Sequence, residues 1–317
     1  MIDETHIDKA VEPLKLGVQR RLEFIDFRLL WNGRFNRKDL TDAFQLSPQQ
    51  ASADIAAYER RAPQNLRYDN ALKAYVRAET FDPIFMGDLS DRYLLQLVGI
   101  RSGWIRQEDT WFETLPPSEV VALKNRRTNS RHLQDVLDAI RENRELEVDY
   151  RSINSAGSAL RWIAPHALAY SAGRWHIRAW ARDRNDFRDF NLNRISNVSQ
   201  SRSVKVDTSL DYEWNNYIDL ILVPNPELDA ETQDAVAAEY NMNDGQIIES
   251  ARLSLVFYLI NELNLDVAPR ILNPHKQQLV LQNRPEVETA RGVARKMSAD
   301  ALKRALQNDA RAPNPSY

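Results

Sequence analysis

The chain has 317 residues, 43% of them hydrophobic and 27% charged, which is the make-up of globular domains and more chain than one ordinary domain uses. It has no cysteine, which excludes disulfides, thiolate metal sites, iron–sulfur clusters and thiol nucleophiles, and its 9 glycines leave little room for phosphate-cradling loops. The formal net charge of −3 averages opposed blocks: residues 13–80 carry 12 basic and 8 acidic side chains, residues 161–205 carry 9 and 3, and residues 207–317 carry 10 and 17. Two basic regions ahead of an acidic end point to anionic partners for the first two-thirds of the chain.

Met1–Ala10 is acidic and polar, with neither the basic flank nor the apolar core of a signal peptide. The longest apolar stretch, near Leu253–Ile260, is far shorter than the roughly 20 residues that cross a bilayer. The expectation is a cytoplasmic protein with no membrane partner.

Over 14–31, Leu22, Ile25 and Leu29 recur at helical spacing among Arg20, Arg21, Glu23 and Arg28, and Asn32-Gly33 closes the helix. Asn36 caps a short second helix with Asp39 in its first turn and Leu40, Ala43 and Phe44 inward. A third helix begins at Ser47-Pro48-Gln49-Gln50, with Ser47 as N-cap, Pro48 first in the helix and Gln50 completing a capping box. At 100° per residue, Ala51, Ile55 and Tyr58 face the first two helices, Gln49, Ala53, Ala56 and Arg60 point away, and Gln50 and Ser52 flank them. Amides and small side chains turned outward suit a helix in a DNA major groove, where amides pair with adenine edges and alanine approaches a thymine methyl. Ala62-Pro63 breaks the helix, and Leu66, Tyr68, Ala74 and Val76 around Asp69-Asn70 read as a hairpin bearing Arg67 and Lys73. Helix, helix-turn-helix and basic hairpin make a winged helix-turn-helix; the competing reading is a small helical domain for protein contacts. The expected base contacts are Gln49, Gln50 and Ser52 beside the cap Ser47, with Arg37, Lys38, Arg60, Arg67 and Lys73 on phosphates or in the wing.

From Phe81 to Asn129 the pattern is mixed: Leu94, Leu95, Leu97 and Val98 suggest one helix, and Pro116-Pro117 a break, in a connector with its own small core. Ser130 then caps a helix with Leu133, Val136, Leu137 and Ile140 inward, and a strand ends near Tyr150. Between 174 and 182, Arg174, His176, Arg178, Trp180 and Arg182 alternate with Trp175, Ile177, Ala179 and Ala181, as in a half-buried strand with one basic face. A second strand carries Arg188, Phe190, Leu192 and Arg194, and only Asp183, Asp186 and Asp189 lie near to neutralise the arginines. Such a row is either an ordinary solvated face or a grip for phosphates and bases.

Trp175-His176-Ile177 is similar to the Trp-Tyr-Leu signature of WYL domains, and Arg188-Asp189-Phe190 through Arg194-Ile195 to their downstream strand. Ser47-Pro48-Gln49-Gln50-Ala51, with Asp54, Tyr58, Ala62-Pro63 and Tyr68-Asp69, resembles one subgroup: the WYL-domain transcriptional regulators that accompany bacterial anti-phage operons, the BrxR and CapW group. His176 departs from the usual tyrosine. The resemblance implies an α+β multidomain fold with a winged helix-turn-helix over 1–82, a helical linker over 83–130, a central Sm-like β-barrel WYL domain over 131–206, and a C-terminal α/β extension for dimerisation over 207–317. It also implies a nucleic-acid or nucleotide ligand on Tyr150, Ser152, His166, His176, Arg178, Arg188 and Arg194.

In the acidic end, Ser250 caps a helix whose Leu253, Val256, Phe257, Ile260 and Leu263 form either a core face or a dimer seam. A charged surface helix follows over about 285–307, then a frayed tail from Ala310 to Tyr317. His6, His132, His166, His176 and His275 have no metal-ligand spacing, and no P-loop, dinucleotide fingerprint or nucleophile elbow occurs. No catalytic residue, metal or cofactor is expected. The sequence thus reads as a homodimeric repressor of an inverted-repeat, double-stranded operator in a phage-defence operon, released when ligand is captured at Arg178 and Arg188. The rival readings are a nucleic-acid-binding accessory protein that stimulates an effector, and an activator.

Overall fold

The computed structural model of the chain describes residues 14–86, 90–121, 128–153 and 157–311. The acidic start and residues 312–317 of the expected tail lie outside them. The chain divides into two compact units, 1–124 and 125–317.

In the first unit, α1 (Leu16–Phe27) runs into a π-helical turn at Arg28–Asn32, and Gly33, with φ 72°, takes the left-handed turn into β1 (Arg34–Phe35). The helices α2 (Arg37–Phe44) and α3 (Pro48–Arg61) follow, and β2 (Leu66–Asp69) and β3 (Ala74–Arg77) form the wing in a sheet of order β1-β3-β2. Leu22, Ile25, Leu29, Leu40, Ala51, Ile55 and Tyr58 make the core, as the helical spacing predicts, and Phe24 joins them. Ala43, expected inside, is exposed. The capping box falls at α2, where the Asn36 side chain takes the Asp39 N–H and the Asp39 carboxylate takes the Asn36 N–H. At α3, Ser47 Oγ does accept the Gln50 N–H, but the Gln50 side chain does not return to Ser47. It donates instead to the carboxylate of Asp54, a charged acceptor stronger than the cap offers.

One buried network ties α3 to the connector. The Tyr58 hydroxyl donates to Asp26 and accepts from Asn65 Nδ2, while Asp26 also takes the backbone N–H groups of Phe85 and Met86. Burial raises the Asp26 pKa above the ordinary aspartate value, against these hydrogen bonds. The connector helix α4 (Ser90–Arg101) seats Leu97 beside Phe27, Met86 and Phe112 in a small core of its own and leaves Leu94 and Leu95 exposed.

In the second unit, α5 (Ser130–Glu142) is capped by Asn129, not Ser130, and buries Val136 and Ala139 while Leu137 is exposed. It packs on an antiparallel sheet of β4 (Arg144–Arg151), β5 (Ser158–Ser171), β6 (Arg174–Ala181), β7 (Asp186–Asn191) and β8 (Ile195–Ser203) in the order β7-β6-β5-β4-β8. That order is open: among the described residues β7 and β8 do not pair, so the expected barrel closure is not present. The strand expected through Arg194 stops at Asn191, and Leu192–Arg194 is a 3₁₀ turn.

The C-terminal part begins with α6 (Tyr212–Asn215) and β9 (Tyr217–Pro224), then α7 (Ala230–Glu239), β10 (Ile247–Arg252), α8 (Val256–Glu262), β11 (Leu279–Leu281) and α9 (Arg284–Arg311). Its sheet has the order β10-β9-β11. Ser250 lies inside β10, paired with Asp219, and caps nothing; α8 starts later, after Leu255. Val256 and Ile260 enter the core with Leu220, Leu222, Val236 and Leu279, whereas Phe257 is half exposed beneath Arg291. α9 is longer than the expected 285–307 and is not wholly superficial, since Val287, Ala294, Ser298, Ala301 and Leu302 are buried.

Candidate nucleic-acid interface and ligand recess

The outward side of α3 presents Gln49, Gln50, Ser52, Ala53 and Arg60 to solvent, while Ala51, Asp54, Ile55 and Tyr58 are buried. A groove beside it is lined by Arg37, Lys38, Ser52 and Lys73 together with Asn36, Thr41, Pro48, Ile55, Tyr68 and Tyr75. The fold thus brings four of the expected DNA-contact residues to one groove from α2, α3 and the wing. Arg37 Nη1 donates to Ser52 Oγ at 3.4 Å. Lys73 sits in the wing turn with φ 50°, and the turn is held by Asp69 Oδ1, which takes the N–H groups of Ala71 and Leu72. Ser47, Gln49, Gln50, Arg60 and Arg67 lie outside that lining; Arg67 is exposed and 3.7 Å from Asp69. Tyr68, expected in the hairpin with Leu66, Ala74 and Val76, is half exposed and lies edge-on to Tyr75 in the same groove. Its opposite-strand pairing with Tyr75 is the signal that it shares that side of the wing.

The second candidate site departs further from expectation. β6 is not half-buried: His176, Ile177, Arg178, Ala179, Trp180 and Ala181 are all buried, and only its first residues reach the surface. The supposed basic face is covered from three elements beyond residue 206. The ring of Tyr258 of α8 packs at a tilt against His176 with centroids 4.5 Å apart, and its hydroxyl donates to Asp189. Arg178 Nε and Nη2 donate to both oxygens of Asp211 at 2.8 Å, Nη1 reaches Asp189 at 3.2 Å, and Nη2 reaches Glu213 at 3.4 Å. Leu302 of α9 packs with Trp180 and Phe187. The neutralising carboxylates therefore include Asp211 and Glu213, far outside the local neighbourhood of Asp183, Asp186 and Asp189.

Burial works against the charge of Arg178, but Asp211, Asp189 and Glu213 outweigh it and hold its pKa above the usual value. Burial likewise works against Asp211, and the bonds from Arg178 and His166 overcome it, leaving its pKa depressed. His166 reaches Asp211 at 3.0 Å from an irregularity in β5 between Pro165 and Ala167, where a bulge re-aims a side chain off the strand's alternation. Burial lowers the His176 pKa, with Arg174 and Arg194 acting in the same direction and Asp189 against.

The other four expected ligand residues, Tyr150, Ser152, Arg188 and Arg194, line a different recess with Arg161, Arg184, Asp183, Asp189 and Phe190. Register explains the separation. Arg178 pairs with Asp189 and Arg188 with Ala179, so the two arginines lie on opposite sides of the sheet. The recess opens on the side of Ile177 and Ala179, where Tyr150 is buried edge-on to Phe190 and its hydroxyl accepts the Asn191 N–H at 3.0 Å. Four arginines against two aspartates around a polar recess suit an anion. Arg161 pairs with Asp183 at 2.5 Å, and Arg188 faces Asp186 at 3.4 Å with half its side chain exposed. Among the described residues no cluster of three His, Asp or Glu is placed to hold a metal ion, and no helix is long and apolar enough to cross a membrane.

Three family models match the chain in order: the BrxR transcriptional regulator winged helix-turn-helix domain at 17–99, the WYL domain at 131–200, and the BrxR transcriptional regulator C-terminal dimerization domain at 217–287. The chain is similar to DNA-binding transcriptional repressors named CapW. It is 33% identical over 285 residues to one from Escherichia coli (strain KTE188), covering 90% of this chain and 95% of that protein. It is 34% identical to one from Pseudomonas aeruginosa, over 90% of this chain and 96% of the relative, and 35% identical to one from Stenotrophomonas maltophilia, over 87% and 92%. A solved structure of proteasome accessory factor B/C of Arthrobacter aurescens aligns at 14% identity and a TM-score of 0.24, over 96% of this chain and 52% of that one, too weak a likeness to bear weight.

Proposed function

The chain belongs to the family of CapW DNA-binding transcriptional repressors, and on that premise we propose that it is itself a homodimeric, non-catalytic repressor whose α3 reads an operator. The observation that carries this reading is the exposed amide face of α3, set beside a groove that gathers Arg37, Lys38, Ser52 and Lys73. A helix in the major groove flanked by cations on phosphates is how helix-turn-helix dimers bind inverted half-sites about 34 Å apart or a multiple of that. The match to a dimerization domain over 217–287 supports the pairing of two copies.

The controlled genes are a phage-defence operon, and the signal is a nucleic-acid or nucleotide anion. It binds the recess of Tyr150, Ser152, Arg188 and Arg194, with Arg161 and Arg184 at its rim. Bound ligand favours a state in which the two reading heads no longer match the half-sites, releasing the DNA. Arg178, His166 and His176 act as the brace that fixes the sheet on the C-terminal part.

The test is a gel-shift titration on the duplex upstream of the protein's own operon, with unrelated duplex and single strands as competitors. Preference for the upstream duplex, and higher promoter output when the gene is deleted, are the expected results. Equal affinity for every competitor defeats the repressor reading in favour of an accessory nucleic-acid binder. Lower promoter output on deletion identifies an activator.

A further inference from the structure

The side chain of Gln50 is exposed on α3, yet it is not free to turn. Its Nε2 donates to Asp54 Oδ1 at 3.0 Å, one helical turn on. Asp54 is 3% exposed and is itself clamped by Arg21 of α1, whose Nε reaches Oδ2 at 2.6 Å and whose Nη2 reaches Oδ1 at 3.1 Å. Arg21 is braced in turn by the Gly17 carbonyl at 2.9 Å. At the other end, Ser47 Oγ holds the Gln50 backbone N–H, so main chain and side chain are both tied.

An ionised carboxylate only accepts hydrogen bonds, whereas a carboxamide has an accepting and a donating end. Turning the Gln50 amide over would set its oxygen against a carboxylate oxygen inside the Arg21 clamp. One N–H is therefore spent on Asp54, and the exposed amide is left with a carbonyl oxygen and its second N–H in a fixed order, free to meet a base edge. That acceptor and donor complement adenine, whose major-groove edge gives an N6 donor and an N7 acceptor. Guanine presents acceptors at both places and would face the carbonyl oxygen with O6.

We propose that Asp54, clamped by Arg21, is a positioning residue that fixes the orientation of the Gln50 amide, and that Gln50 so oriented selects adenine over guanine at one position of each operator half-site. This rests on the reading of α3 as the DNA-reading helix.

The experiment sequences the duplexes retained by the full-length protein from a randomised pool, comparing the unaltered chain with Asp54→Asn, Gln50→Ala and Gln50→Glu. The unaltered chain should show one position per half-site with adenine preferred to guanine by about tenfold or more. Gln50→Ala should erase that preference, and Gln50→Glu, an acceptor only, should turn the position toward cytosine. In Asp54→Asn the neighbour can donate as well as accept, so the amide can turn. The ratio should fall to within about threefold at that position, with all other positions unchanged. A purely structural role for Asp54 would weaken every position together, and that result overturns the proposal. So does an adenine preference that Asp54→Asn leaves intact. If Asp54→Asn does not fold, the two Gln50 variants decide: the proposal is overturned if neither alters any position. Retention of no sequence by the unaltered chain defeats the repressor function itself, a result distinct from these.

Discussion

α3 and β6 each show a polar face in the sequence, and the two meet opposite fates. The outward face of α3 stays in solvent, with Gln49, Ser52 and Arg60 exposed. The even-numbered face of β6 is sealed by α6, α8 and α9, with Arg178 only 4% exposed. The lesson is that an alternating pattern establishes two faces but not which of them meets water. On α3 the inward side is settled by nearby apolar residues of α1 and α2. On β6 it is settled by carboxylates from a separate stretch of chain, and a buried charge persists there because it is paired.

That contrast is open to direct attack, most forcefully at the buried pair. Asp211→Ala leaves Arg178 without its bidentate partner and should destabilise the second unit by about 3–5 kcal/mol in urea unfolding. The double change Arg178→Met with Asp211→Leu should recover only part of that loss, because Asp189 and Glu213 still lose the guanidinium they share. A loss within about 1 kcal/mol for Asp211→Ala would mean that this face of β6 is solvated after all.

The recess should behave in the opposite way. Arg188→Ala, exposed and on the other side of the sheet, should weaken binding of a short single-stranded oligonucleotide by about tenfold, the worth of one charged hydrogen bond, read by fluorescence anisotropy. Its unfolding midpoint should stay put. A shifted midpoint with unchanged binding would move Arg188 from ligand contact to framework.

On the winged-helix side, Arg67→Ala and Lys73→Ala should each lower the slope of log affinity against log salt by about 1, with little change in which sequence is preferred. An unchanged slope would take the wing off the phosphates. The smallest effect is that of pH. The folded-state pKa of His176 lies below its ordinary 6.5, so the unfolded chain binds more protons between the two values. Stability of the second unit should therefore fall as pH drops below about 6.5, and His176→Phe should flatten the fall. The depressed Asp211 removes further stability only in strong acid, below the ordinary aspartate value of 3.8.

The winged helix was legible because its signals are local: Asn36 and Ser47 cap, Pro48 starts α3, and Ala51, Ile55 and Tyr58 share one stripe. Gln50 departs from the expected capping box because a capping box and an i,i+4 amide–carboxylate bond begin from the same residue, and the pattern does not rank them. The second unit was less legible because its decisive contacts are remote. Arg178 meets Asp211 across 33 positions, and His176 meets Tyr258 across 82. His166 left the alternation through an irregularity in β5, and Ser250 fell in a strand because β9 was there to pair with it.

Those 33 positions are also an interval of time. At about 5–20 residues per second, a ribosome delivers Asp211 roughly 2–7 s after Arg178. Through most of that interval the sheet itself is unfinished, since β8 ends only at Ser203, and once its strands are made Arg178 still lacks its main counter-ion. The five-stranded sheet and the C-terminal part therefore mature as one piece, while the winged helix, complete within the first unit, is free to fold ahead of them.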